Sequence, residues 1–192
     1  YNDRAPRPGE IDGVDYHFRS RAHLEGLRGD PRFAVLEVRG DLQALDLDEL
    51  KRQLAGGDAF FEGNPFVGQA LLTRPELAGV QRLSAFLAPL CRDEVLYLRA
   101  QGADLQSLVS DMMRRKLLRR TRRQKGELSL RDLENIEKRA GSALRELSMA
   151  HWFGCVIPNH DGEDSENWDA FYYPLGEARR ALLAFVDLLE GR

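Results

Sequence analysis

Two arginines three positions apart, Arg4 and Arg7, lie in the run R-A-P-R-P-G-E-I-D-G-V-D-Y-H-F, residues 4–18. Each guanidinium presents a planar fork of donors that matches the oxygens of a phosphate. Tyr16 can donate a hydrogen bond to the same group, and Glu10 can orient an arginine or accept from a ligand. Pro6, Pro8, Gly9 and Gly13 restrain and bend the backbone around them. The chemistry suggested is the grip of a phosphorylated ligand. By composition alone the segment also reads as a surface turn with solvated charges.

A second group of cations fills R-R-K-L-L-R-R-T-R-R-Q-K, residues 114–125, where eight of twelve positions are Lys or Arg and none is acidic. On a helix, Arg115, Arg119, Arg122 and Arg123 fall on about one face. Charges of one sign at this density repel, so an anion is their natural counterpart; a solvated helix face is the simpler alternative. No aromatic residue interleaves for base stacking, so nucleic acid is not the expected partner. The acidic stretch H-D-G-E-D-S-E-N-W-D, residues 160–169, does not have the alternate-position ligands of a calcium loop, and no metal site is expected there. Trp168 is expected to pack this loop down. His17 and His151 adjoin apolar and aromatic residues and read as structural, and His23 has no visible catalytic partner. There is no Ser-His-Asp or Cys-His signature. Nor does G-x-x-x-x-G-K-[ST] occur: E-G-N-P-F-V-G, residues 62–68, lacks the lysine and the hydroxyl residue of a phosphate loop.

These groups need elements to hold them. After the opening loop, residues 20–30 read as a short helix behind Ser20, 32–40 as a strand, and 46–57 as a helix ending on two glycines. Residues 58–65 read as a short strand stopped by Pro65, 77–90 as helical or mixed, and 94–100 as a buried strand. The basic run belongs to a long helix over 104–123. Ser129 and Asp132, in capping-box spacing, open a second helix to 147. A strand over 153–159, the acidic loop and an amphipathic helix over 176–191 close the chain. Helices and strands that alternate in this way predict an α/β fold with a mostly parallel sheet and ligand loops at strand ends.

The chain has 192 residues, enough for one sizeable core or a core with small lobes. Its formal net charge of −3 argues against a general nucleic-acid binder, and 43% hydrophobic with 31% charged residues is ordinary for a globular protein. Cys91 and Cys155 each sit in an apolar run, as reduced buried thiols do in a cytoplasmic protein. No apolar run approaches the roughly 20 residues of a membrane span.

The opening segment, written R-x-P-R-x-G-E-x-x-G-x-D-Y-x-F, resembles the acceptor-phosphate segment of the guanylate kinase family at Arg4, Pro6, Arg7, Gly9, Glu10, Gly13, Asp15, Tyr16 and Phe18. L-E-V-R-G-D is similar to that family's A-E-V-x-G-N, I-E-K-R-A-G-S-A-L-R-E-L to its returning I-x-R-R-L helix, and F-G-C-V-I-P-N to its final strand F-D-Y-V-I-V-N. The resemblance implies a P-loop kinase-like three-layer α/β/α fold. Its parts would be an acceptor-binding lobe over 1–70, a core over 71–111 and 148–192, and an arginine-rich lid over 112–147. It further implies ATP-dependent phosphoryl transfer to a nucleoside monophosphate or related phosphorylated small molecule, with Mg²⁺ accompanying ATP, in a cytoplasmic monomer or homodimer. Arg4, Arg7, Glu10 and Tyr16 would hold the acceptor phosphate. Arg119, Arg120, Arg122, Arg123 and Arg139 would be the catalytic lid arginines, and Asn159 would stand on the ATP side.

At the base-reading positions the chain departs from the family. Ala34 stands where a glutamate is expected, and Leu42 and Leu45 stand at the tyrosine and hydroxyl positions. Glu62 and Asn64 replace the family's D-I-D strand end. Glu37, Glu62 and Asn64 are the remaining base-site candidates, and an acceptor other than GMP is expected, because apolar groups cannot replace hydrogen bonds to guanine. The family's phosphate loop precedes the arginine segment by one βα unit. Three accounts of its absence compete: a truncated chain, a degenerate relative, or a partner chain that supplies the loop. The first is expected, because a sheet without its central strand would leave raw edges. The alternative function is a non-catalytic module of this family that binds a nucleotide or phosphopeptide.

Overall fold

The computed structural model describes residues 1–6 and 9–192. They divide into two compact units, Tyr1–Leu77 and Ala78–Arg192. Among the described residues the two units carry seven α-helices and two small sheets, a mixed α/β arrangement.

The first unit is built on an antiparallel hairpin of β1 (Phe33–Val38) and β2 (Asp41–Asp46). Arg39 and Gly40 connect the strands with φ of 55° and 91°. Two left-handed residues in succession match the twist of the flanking strands. The first three residues run beside β2: Asp3 N donates to Leu42 O at 3.0 Å, and Ala44 N donates to Tyr1 O at 3.1 Å. Asn2, buried, bridges the backbone of Gln43 and of Phe18, so the start of the chain ties the phosphate-type segment to the hairpin. α1 (Arg21–Gly26) is capped by Ser20, and its Leu24 packs with Leu42 and Ala44 in a small core. α2 (Leu47–Gly56) starts at Asp46, whose carboxylate accepts from Asp48 N and Glu49 N.

The strand expected over 58–65 does not form. Asn64 caps a helix there, Pro65 is its first residue, and α3 (Pro65–Thr73) follows. A proline at the first helical position loses no hydrogen bond and is already set to helical φ. It therefore starts this element rather than stopping a strand.

In the second unit β3 (Ala85–Ala88) pairs in parallel with β4 (Cys155–Pro158), with Phe86 opposite Val156 and Leu87 opposite Ile157. Among the described residues this pair is the whole of the parallel sheet. Residues 94–100, expected as a strand, belong to α4 (Arg92–Ala100). Glu94 reaches back to accept from Cys91 N at 2.7 Å, and this capping contact fixes the helix start against the β preference of Val95, Leu96 and Tyr97.

α5 (Leu105–Lys125) and α6 (Leu130–Leu147) form a helical hairpin joined by a short turn. Gly126 closes α5 with φ of 77°, and Ser129 caps α6. Lys125 and the Ser129 hydroxyl and amide hold the Asp132 carboxyl down to about 2. Arg114 bonds Glu137 across the pair, at 2.6 and 2.9 Å. Leu90, Val109 and Ala143 make the core beneath, with Val95, Leu98 and Met112 packed against it. α7 (Gly176–Glu190) completes the unit, with Ala178 and Ala181 buried.

Candidate functional site

Two constellations carry the charged residues singled out by the sequence, one in each unit. In the first unit, the Arg4 guanidinium is held end-on by the Glu10 carboxylate: Nη1 donates to Oε2 at 2.7 Å and Nη2 to Oε1 at 2.6 Å. Nη1 also donates to the Ala5 carbonyl at 3.1 Å. The plane lies against the rings of Tyr16 and Phe18, 4.9 and 5.3 Å from their centroids. Only 16% of the Arg4 side chain and 17% of that of Glu10 is exposed. The Glu10 hydrogen bonds raise the Arg4 pKa further from the neutral range, so the cation is permanent.

Backbone capture by carboxylates sets this loop. Asp15 accepts from Ile11 N at 2.8 Å, and Asp12 accepts from Phe18 N at 2.7 Å while pairing with Arg19. Gly13, with φ of 83°, supplies the turn between them, and its N–H donates to Tyr16 O. The end-on edge of Arg4 is thus committed to Glu10. The Tyr16 side chain is a further hydrogen-bond partner of the same guanidinium. Arg7, the second arginine of the segment, lies outside the described residues.

The base-site candidates are not joined by hydrogen bonds or ion pairs among the described residues. Glu37 is exposed and meets Arg21 at 3.7 Å. Glu62 is exposed in the irregular segment before α3. Asn64 serves as the α3 cap, its Oδ1 accepting from Phe66 N at 3.0 Å, while its Nδ2 is buried without a partner among the described residues. Ala34 and Leu45 are cross-strand partners, and Leu42 is fully buried in the small core.

In the second unit a cleft of about 960 Å³ runs between α5 and the 159–169 loop. Arg115, Lys116, Arg119 and Arg123 line one wall, and Leu108 and Met112 give it an apolar end. The loop supplies the other wall, and its carboxylates meet the arginines. Arg119 Nε donates to Asp164 Oδ2 at 2.5 Å, and Arg123 Nη1 donates to the Asp164 carbonyl at 2.9 Å. Arg120 pairs with Glu163, and Arg123 lies 3.5 Å from the Asp169 carboxylate. Arg119, Arg120 and Arg123 are therefore gathered on this loop. Arg122 is exposed on α5, and Arg139, on α6, is half-buried with its carbonyl accepting from Ser142 Oγ.

Asn159 stands at the end of β4, where its Oδ1 accepts from Gly162 N at 3.0 Å and its carbonyl accepts from Lys116 Nζ at 3.1 Å. Burial pushes the Lys116 ammonium below its ordinary range. Asp161 accepts from Asn167 Nδ2 at 2.7 Å, and Trp168 Nε1 donates to Gly162 O at 2.7 Å, so the loop is closed on itself as the tryptophan suggested. His160 is bracketed by Glu94 on Nε2 at 2.8 Å and Glu177 on Nδ1 at 3.0 Å. Hydrogen bonding to Glu94, with Glu177 in support, raises its pKa against the opposing effect of burial.

The sequence reading missed the roles of Lys116 and His160 and the meeting of α5 with the acidic loop. The signal for the last was present. Arg115, Arg119 and Arg123 recur every four residues, and the only dense run of opposite charge in the same unit is 161–169.

No family model matches the chain. A guanylate kinase from Nitratidesulfovibrio vulgaris is 30% identical over 197 residues, which cover 100% of this chain and 80% of that protein. One from Oleidesulfovibrio alaskensis is 29% identical over 167 residues, covering 86% of this chain and 66% of the relative. One from Aromatoleum aromaticum is 33% identical over 113 residues, 57% of this chain and 53% of the relative. With its phosphate-type arginine segment, basic helical hairpin and full-length similarity, the chain belongs to the guanylate kinase family.

Proposed function

We propose that this chain is a P-loop kinase-like, three-layer phosphotransferase, with an acceptor-binding lobe over 1–70, a core over 71–111 and 148–192 and an arginine-rich lid over 112–147. It would pass the γ-phosphoryl group of ATP to a phosphorylated acceptor, a nucleoside monophosphate or a related small molecule. The observation that carries the reading is Arg4, fixed end-on by Glu10 and backed by the rings of Tyr16 and Phe18. Such preorganisation removes the ordering cost from binding. Arg4, Arg7 and Tyr16 would hold the acceptor phosphate, with Glu10 as the positioning residue.

The α5 cleft would receive the donor nucleotide, the base against Leu108 and Met112 and the phosphates along Lys116, Arg119 and Arg123, with Asn159 on the ATP side. Arg120, Arg122 and Arg139 would add positive charge around the transferred group. Positioning and neutralisation of charge are most of what phosphoryl transfer demands of a protein. Among the described residues no cluster of His, Cys, Asp or Glu is arranged to hold a metal ion. Mg²⁺ would arrive on the phosphates of ATP as part of the substrate.

The acceptor base would not be guanine. Leu42 is committed to the hydrophobic core, and the Ala34–Leu45 pair offers no side-chain donor or acceptor. A site lacking such groups gives up the large discrimination that hydrogen bonds to a base provide.

Residues 1–192 contain no G-x-x-x-x-G-K-[ST] run, so the test uses this chain together with any sequence that precedes Tyr1. The assay is ATP turnover on a panel of nucleoside monophosphates and sugar phosphates. Turnover of an acceptor other than GMP, lost in Arg4→Ala, is the expected result. A folded protein that turns over none of them overturns the reading, and acceptor binding without turnover would favour the binding-module alternative.

A further inference from the structure

The 160–169 loop does to three arginines of α5 what a phosphate chain would do. Asp164 receives Arg119, Glu163 receives Arg120, and Arg123 is divided between the Asp164 carbonyl and the Asp169 carboxylate. We propose that this loop is a counter-anion latch: its carboxylates hold Arg119, Arg120 and Arg123, and a polyphosphate gains those arginines only by displacing the loop. The inference rests on the donor-cleft reading given above and adds its regulation.

Arg119 and Asp164 differ sharply in exposure. The Arg119 side chain is 61% exposed, but that of Asp164 is only 5% exposed. An arginine at the surface changes partners cheaply, because exposed ion pairs contribute little. The buried carboxylate cannot simply be left behind. If Arg119 turned to a phosphate while the loop stayed in place, the 5%-exposed Asp164 carboxylate would lose its hydrogen-bonded cation, keep only the nearby charge of Lys116 and face the incoming anion, which is costly. The arginine and the loop are therefore coupled, and entry of the anion requires Asp164 to move into water.

The hinge points are visible. At one end His160 is pinned between Glu94 and Glu177, and Asn159 between Gly162 N and Lys116. At the other, Leu175 N donates to Asn167 O at 2.8 Å. Between them, Gly162 has φ of 78°, a conformation glycine adopts without strain. A ligand shifts such an equilibrium only by its differential affinity for the two states. Its apparent affinity falls by the fraction of molecules with the loop in place. Anions with several adjacent charges, able to engage two or three arginines together, overcome the latch. A single inorganic phosphate does so poorly.

The test is titration of the full chain with inorganic tripolyphosphate at low salt, read by calorimetry and by the emission of Trp168 in a Trp152→Phe background. Neutralising the latch with Glu163→Gln and Asp164→Asn together is expected to tighten binding about 5–10-fold, the worth of one or two surface pairs. Glu166 lines the same cleft with no arginine paired to it among the described residues, so Glu166→Gln reports the general effect of removing a charge and is expected to change binding less than about 2-fold. Binding to the otherwise unaltered protein is expected to move Trp168 emission to the red, as its bond to Gly162 O opens. Should the double variant lose helix content, Glu163→Gln alone, at a side chain 67% exposed, carries the comparison. Binding that is no tighter without the carboxylates, equal tightening in Glu166→Gln, or an unchanged Trp168 spectrum overturns the latch. Loss of binding in Arg119→Ala would still uphold the donor cleft. If no form binds tripolyphosphate, the cleft reading falls and the latch with it.

Discussion

Asp164 and Arg119, 45 residues apart in sequence, meet at 2.5 Å with the carboxylate buried and the guanidinium in solvent. The pair joins the acidic loop to the basic helix, and its two halves are not equivalent. Truncating the arginine leaves a buried anion unsatisfied, whereas truncating Asp164 releases a cation to water. Arg119→Ala is accordingly expected to lower unfolding free energy by about 1–2 kcal/mol, the cost of an orphaned buried group in part relieved by loop movement. Arg122→Ala, at an exposed site on the same helix, is expected to stay within about 0.5 kcal/mol. Urea denaturation of both variants checks this; equal effects would show that Asp164 is not held by its partner.

His160 makes the stability of the second unit depend on pH. Both ring nitrogens face carboxylates, and both can donate only when the ring is protonated. Its pKa is raised, with the Glu94 hydrogen bond as the leading cause. A pKa raised by folding means that the folded state binds the proton more tightly. The stabilisation is complete below the ordinary histidine pKa of about 6.5 and is lost as pH rises through the raised value. Glu177 also pairs with Arg180. Thermal unfolding followed from pH 6 upward is expected to fall over this window, and His160→Gln is expected to flatten the profile.

The two constellations differed in how far they could be read from the sequence. The Arg4 box is local. Its arginine, its carboxylate and both rings lie within residues 4–18, so residue types and spacing carried the arrangement, and Ser129 with Asp132 announced the start of α6 in the same way. The latch is non-local: helix and loop are separated by more than 40 residues, and each looks like a solvated charge run until the chain brings them together. The elements misread fail for related reasons. Val95 and Leu98 have strand-forming neighbours, but they pack, half-buried, against the cluster under α5 and α6, and tertiary packing with the Glu94 cap outweighed propensity. β3 has four residues, too few for alternation to emerge from the mixed run 77–90. Pro65 punctuates in either direction, and only Asn64 before it, as a cap, distinguishes a helix start from a strand end.

The hairpin of the first unit offers a backbone test independent of any ligand. Arg39 and Gly40 both have positive φ, and only the second is a glycine. Gly40→Ala is expected to cost about 1–2 kcal/mol, the penalty of a side chain in the left-handed region. Arg39→Asn, which suits the first position of this turn, is expected to stabilise by some tenths of a kcal/mol. Chemical denaturation of the two variants gives opposite signs if the turn is as described.

Glu10 is the position that separates positioning from contact in the acceptor site. Its carboxylate uses the end-on edge of Arg4, so it holds the guanidinium at an angle and does not itself need to touch the acceptor. Glu10→Gln keeps the shape but replaces one charge-assisted acceptor oxygen with a donor, which faces an Arg Nη–H and cannot bond it. Arg4 is then free to turn away from Tyr16 and Phe18. With turnover measured on the chain that includes any sequence before Tyr1, Glu10→Gln is expected to raise the acceptor KM about 10-fold, with kcat reduced less than about 3-fold. Arg4→Ala removes the contact itself and should raise KM by about 100-fold or more, while Arg4→Lys, a point charge without a fork, should not rescue it. An acceptor KM unmoved by Glu10→Gln while the protein stays folded would mean that Arg4 is oriented by its rings alone, and that the ion pair serves only the loop.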